Sequence, residues 1–162
     1  MLALRSAARQ LSDLAGKRVG VPTGATTLYI VRRLVPDLIP VEIDNMNSGF
    51  AMLERGELAG LANIGVVLRG LIETSHQKNQ FVLLPRTGVL SYESMACMVP
   101  TDDSAWRDFV NRTLSDLLEG VDQYRGGYYD IYERWFGPSG YLFYPLDRDV
   151  AKRLAAARKW LN

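Results

Sequence analysis

Cysteine and histidine are almost missing from this chain. Its 162 residues hold one Cys, at position 97, and one His, at position 76. An internal disulfide is thereby excluded, and no His/Cys set exists for a zinc or iron centre. Neither charge sign dominates: 19 Lys and Arg stand against 18 Asp and Glu, for a net charge of +1. With no long run of either sign, the electrostatic case for a nucleic-acid partner or an anionic membrane falls away. No stretch is long and apolar enough to span a bilayer, and the opening "MLALRSAARQLSDLAG" lacks the apolar core of about 7 to 15 residues that a secretory signal needs. Cys97, inside "SMACMVP", is expected to fill core space as apolar thiols do. His76, inside the polar run "ETSHQKNQ", reads as an exposed loop residue, so no Cys/His catalytic pair is expected. Nothing in the composition implies a cofactor or a metal.

What is present is an apolar fraction of 48%, ample for a real core in one ordinary domain or two small lobes. "KRVGVP" (17–22) reads as a strand closed by Pro22 and Gly24, and "TTLYIVRRLV" (26–35) as a helix with Leu28, Val31, Leu34 and Val35 at helical spacing. A β-rich "VEI" (41–43) then precedes "NSGFAMLERG", with Ser48 as the expected cap, Phe50, Met52 and Leu53 as apolar positions, and Gly56 as the stop. "LAGLAN" (58–63) reads as a third strand, "GVVLRGLIET" (65–74) as a third helix and "FVLLPR" (81–86) as a fourth strand. Strands alternating with helices predict an α/β lobe with a mostly parallel sheet flanked by helices. From Leu90 the pattern changes to one extended stretch, "LSYESMACMVP", and then to a C-terminal helical segment. That segment holds an amphipathic helix over 104–119, a Tyr/Gly-rich section, and a last helix capped by Asp147 or Asp149.

"VPTGATTLY" (21–29) carries the most chemistry. Where a strand ends and a helix begins, unpaired backbone N–H groups and the helix dipole suit a small anion. Gly24 allows the bend, and the N–H and hydroxyl groups of Thr26 and Thr27 are candidate clamps for a carboxylate or phosphate. The alternative is that Thr23 or Thr26 only caps the helix. The turn is neither a P-loop nor a dinucleotide fingerprint.

Several motifs occur in order: "LSDLAGKRVGVPTGATT", "GFAMLERGELAGLANIGVVLRGLI", "VLSYESMACMVPTDDSAWRDFVNRTLSDLLEG" and "RWFGPSGYLFYPLDRDVAKRL". Together they resemble the periplasmic solute-binding proteins of amino-acid ABC importers (bacterial extracellular solute-binding protein family 3), the glutamate/aspartate branch in particular. The resemblance implies a type II periplasmic-binding-protein-like lobe. It assigns 1–9 to an outgoing hinge strand, 10–89 to the second α/β lobe, 90–100 to a return strand and 101–162 to the C-terminal helical part of the first lobe. The front half of that first lobe has no counterpart, which makes a truncated chain the expectation. The implied function is to bind a small carboxylate-bearing solute between lobes and hand it to a membrane permease, in the periplasm and without catalysis.

By the same resemblance the ligand would meet Thr23, Gly24, Ala25, Thr26 and Thr27, together with Met46, Asn63 and Ile64. Two positions depart from the family. Ile64 stands where an aspartate pairs with the ligand's ammonium, with Gly65 after it, and Met46 stands where the branch tends to have a histidine, although Asn45 and Asn47 keep polar groups nearby. A desolvated ammonium without a partner costs several kcal/mol. An amino acid is therefore a poorer fit than an amino-free organic acid, and a degenerate sensor or interaction domain is the competing reading. The aromatic set from Tyr128 to Tyr144 would lack its covering sheet, so a second copy of the chain is expected to cover it.

Overall fold

The computed structural model describes residues 1–86 and 88–161. The chain divides into two compact units, Met1–Ser91 and Tyr92–Asn162. Each is built on its own core.

The first unit is a sheet with helices on both faces. Its strands are β1 (Leu2–Leu4), β2 (Arg18–Pro22), β3 (Ile39–Ile43), β4 (Gly60–Leu61) and β5 (Phe81–Leu83), in the spatial order β3-β2-β4-β1-β5. β2 pairs in parallel with β3 and with β4, whereas β1 runs antiparallel to both β4 and β5. Four strands therefore share one direction and β1 alone is reversed, which makes the sheet mixed at its β1 end. The helices are α1 (Thr27–Leu34), α2 (Met46–Glu54) and α3 (Gly65–Thr74).

Alternation along the strands sorts side chains to two faces. Val19 and Val21 of β2 join Val31 and Val35 of the α1 region, with Ala3, Leu14, Ala62 and Val82. Leu2, Ile43, Leu61 and Phe81 point the other way, against Phe50 and Leu53 of α2 and Leu68 and Ile72 of α3. On that second face Gly20 packs closely: a Cβ there would lie 2.8 Å from Leu61 Cδ1 and 2.9 Å from Leu58 Cδ1, so these buried methyls would have to shift. Gly49 of α2 is tighter still, at 2.5 Å from Ile43 Cδ1.

Several elements differ from the sequence expectation. The third and fourth strands are shorter than 58–63 and 81–86, because only Gly60–Leu61 and Phe81–Leu83 find ladder partners. Asn45, not Ser48, caps α2. The Asn45 side chain accepts from the Ser48 backbone N–H at 2.9 Å, and the Ser48 hydroxyl donates to the Asn45 carbonyl. In α1, Leu34 is 40% exposed instead of buried. The stretch 91–100 belongs to no ladder among the described residues, and Cys97 within it is exposed instead of core-filling. A short apolar run without a neighbouring strand has nothing to bury itself against.

The second unit is helical. It holds α4 (Ser104–Leu117), capped by Asp103 on the Trp106 N–H, then α5 (Gly127–Phe136) and α6 (Arg148–Ala157), capped by Asp147 on the N–H groups of Asp149 and Val150. Its fully packed core is small: Val121, Leu146 and Ala151, with Tyr128, Tyr129 and Tyr132 half-buried around them. Tyr132 donates to the Tyr144 carbonyl at 2.8 Å, and burial pushes its hydroxyl well above the usual tyrosine range. No helix among the described residues is long and apolar enough to cross a membrane.

Candidate functional site

Strand order locates the switch point of the sheet. From β2 the chain moves through α1 to β3 on one side, then returns through α2 to β4 on the other side of β2. The helices that follow β2 and β4 lie on opposite faces of the sheet. The point between two adjacent parallel strands whose loops leave in opposite directions is a topological switch point, the place at which α/β sheets in general hold ligands. Residues 23–27 leave β2 there and residues 62–64 leave β4 there.

The turn after β2 is built as follows. The Ala25 N–H donates to the Pro22 carbonyl at 3.2 Å, which closes a tight turn around Gly24. Gly24 has φ +71, in the left-handed region, with nothing within 4 Å of where a Cβ would stand. Backbone conformation, not space, therefore demands glycine. Thr23 directs both its N–H (3.1 Å) and its hydroxyl (3.4 Å) to the Ile43 carbonyl. That residue fastens the ends of β2 and β3 to each other. Thr26 stands at the N-cap of α1 without a side-chain cap to its own helix. Its carbonyl accepts from Tyr29 and Ile30, while Leu28 donates to Ala25. The Thr27 N–H, at the mouth of α1, has no acceptor among the described residues.

The loops after β3 and β4 meet. Asn63 Nδ2 donates to the Met46 sulfur at 2.8 Å, and Asn63 Oδ1 accepts the Ile64 N–H at 2.6 Å. Both ends of the Asn63 amide are thus engaged inside the protein. Ile64 is 63% exposed, at the N-cap of α3. The expected site residues thus bring two chemistries to the strand ends: hydroxyls and backbone N–H groups in 23–27, and apolar side chains at Met46 and Ile64. The Asn63 link was not legible in the sequence. The Asn45 cap was missed as well: the sequence expectation puts the cap at Ser48, although Asn ranks with Ser at that position. A cavity of about 160 Å³ lies elsewhere, on the outer side of α1 between Tyr29, Arg33 and Leu90.

Comparison with known proteins bears on this geometry. The chain superposes on an ancestral arginine-binding protein bound to arginine with a TM-score of 0.62 and 23% identity, covering 84% of this chain and 58% of that one. It has the fold of the solute-binding proteins. The P235GK mutant of ArgBP from T. maritima gives a TM-score of 0.59 at 24% identity, with 83% of this chain and 56% of the other covered. In sequence, the chain is 23% identical over 159 residues to the L-glutamate/L-aspartate-binding protein of Pseudomonas aeruginosa, which covers 91% of this chain. No family model matches. The chain spans about half the length of that relative.

Proposed function

We propose that the chain is a substrate-binding component of an amino-acid-type ABC importer, which holds a small carboxylate-bearing solute at the switch point between β2 and β4. The observation that supports this most is the Gly24 turn. It bends the chain so that the mouth of α1, with Thr26 and Thr27, opens at the carboxyl edge of the sheet. On this reading the carboxylate sits at residues 23–27. The remainder of the ligand meets Met46, Asn63 and Ile64.

The apolar wall narrows the ligand class. An α-ammonium placed against Ile64 and Met46 meets no carboxylate there, because Ile64 and Gly65 carry none and the Asn63 amide offers at most a neutral acceptor that already takes the Ile64 N–H. We therefore assign the site to an amino-free acid such as a dicarboxylate, ahead of an amino acid. No general acid or base stands among these residues, so the function is binding and not catalysis. Delivery to a membrane permease, a periplasmic location and pairing of two copies belong to the same proposal. A sensor or interaction domain of the same fold is the second reading, favoured by the absence of a carboxylate at Ile64 and Gly65.

Calorimetric titration and thermal shift with succinate, glutamate and aspartate test the proposal. A saturating ligand raises the melting temperature by mass action. Succinate is expected to stabilise the protein, with a weaker response from the amino acids, and Gly24→Val is expected to abolish the effect. A flat response to every acid would rule the receptor role out in favour of the interaction domain.

A further inference from the structure

The near-even charge of the whole chain, which at first sight argues against an anionic partner, conceals a segregation inside the second unit. Residues 92–146 hold nine Asp and Glu against four Arg, whereas residues 150–160 hold four Arg and Lys and no acid. These cations lie on α6 and on the 3-10 turn Arg158–Trp160 that continues it. The helix dipole accounts for cations in the last turn, but it disfavours Arg148 in the first. Of the five cations from Arg148 to Lys159, two are engaged: Arg153 lies over the Tyr92 ring at 3.6 Å, and Arg158 reaches Glu119 at 3.5 Å. The side chains of Arg148, Lys152 and Lys159 are exposed and make no ion pair or hydrogen bond among the described residues.

Steps of four and seven residues bring these three to one side of the helix, over a length of about 16 Å. On the other side Val150, Ala151, Leu154 and Ala155 pack with Val121 and Leu146. The helix is thus held by its apolar side and turns a cationic stripe to solvent. Trp160, which follows Lys159 directly, is 87% exposed. An exposed Trp beside Lys and Arg suits a bilayer interface, where the ring lodges among head groups and the cations meet phosphates. We propose that the α6 stripe docks the second unit on an anionic phospholipid surface. A flat surface needs to touch only α6, whereas a polyanion that wraps would also meet the acidic remainder of the unit. Because the apolar side of α6 is already used in the core, the helix rests on the head groups without inserting. This docking goes beyond the carboxylate site and does not depend on it.

Co-sedimentation of the 162-residue chain with lipid vesicles tests the proposal. Vesicles of equal parts phosphatidylglycerol and phosphatidylcholine are expected to carry the protein down at low ionic strength, and phosphatidylcholine alone is expected not to. Binding should fall as added salt shortens the Debye length. Each cation near the surface is worth about fivefold in affinity, so Lys152→Glu combined with Lys159→Glu is expected to weaken binding by at least about 25-fold. Neither lysine touches the core, and the variant should keep the parent's melting temperature. Arg32→Glu combined with Arg33→Glu on α1 changes the net charge equally and is expected to leave binding intact. The proposal fails if neutral vesicles bind as well, if the two double variants behave alike, or if no vesicle binds. It also fails if duplex DNA binds the chain more tightly than the vesicles do, since the occupant is then a nucleic acid.

Discussion

Gly24, Gly126 and Asn45 illustrate three ways in which a single residue holds its turn. At Gly24 the constraint is φ alone, so Gly24→Ala is expected to lose about 1–2 kcal/mol, the cost of placing a Cβ in the left-handed region, with Gly24→Asn losing less. Urea denaturation of the three proteins checks the order. At Gly126 the left-handed φ of +90 is joined by a collision, because a Cβ would stand 2.2 Å from the Glu119 carbonyl oxygen. Gly126→Ala is therefore the more damaging of the two glycine changes. Asn45→Ala removes a cap bond and is expected to cost about 1 kcal/mol. The α-amino group of Met1 adds a pH term. It is buried, donates to the Leu84 carbonyl at 2.7 Å, and is lowered by desolvation from 8.0 to about 6. A base with a depressed folded pKa takes up protons on unfolding between those values. Stability therefore rises from pH 6 to pH 8, by about 2 kcal/mol at most. Denaturant midpoints at the two pH values check this, and blocking the amine by acetylation should flatten the curve.

At the scale of elements, helices were more legible in the sequence than strands. The run 65–74 matches α3 residue for residue, because Leu68 and Ile72 recur at helical spacing and Gly65 follows directly on the β4 loop. Strand ends were not legible. A ladder stops where its neighbour stops, and "LAGLAN" has no feature that limits pairing to Gly60 and Leu61. The switch point itself was half visible: the Gly/Thr turn stood out, whereas the Asn63 to Met46 link joins loops seventeen positions apart. Close packing of α2 on the sheet was invisible too, although Gly20 and Gly49 are both in the sequence. Ala is the better helix former by about 1 kcal/mol, yet Gly49→Ala is expected to destabilise, since a Cβ at 2.5 Å from Ile43 Cδ1 and 2.9 Å from Leu61 Cδ1 displaces two buried side-chain ends. Overpacking of this kind costs about 1–3 kcal/mol. Ile43→Val removes the colliding Cδ1, so the double variant should recover part of the loss in thermal melts, and a purely additive result would argue against this contact.

For the molecule as a whole, the two units differ in how well they can stand alone. The first unit has a two-faced core, the second a small one under an open aromatic face. Between them lies a stretch without ladder bonds in which Met95 is 97% exposed and Met98 98% exposed. Limited proteolysis is expected to cut first within Tyr92–Val99, and the 1–91 product should remain folded while the remainder is digested. For the same reason Cys97 should react with a maleimide in native buffer as fast as in denaturant, which strong protection of the thiol would contradict.

The reversed strand β1 has an effect on the order of events. It lies between β4 and β5, and β5 has no other partner in the sheet order. Residues 2–4 leave the ribosome ahead of both of these later strands and must therefore wait, unpaired, until the two have been synthesised. The keystone of the sheet is made first and set last.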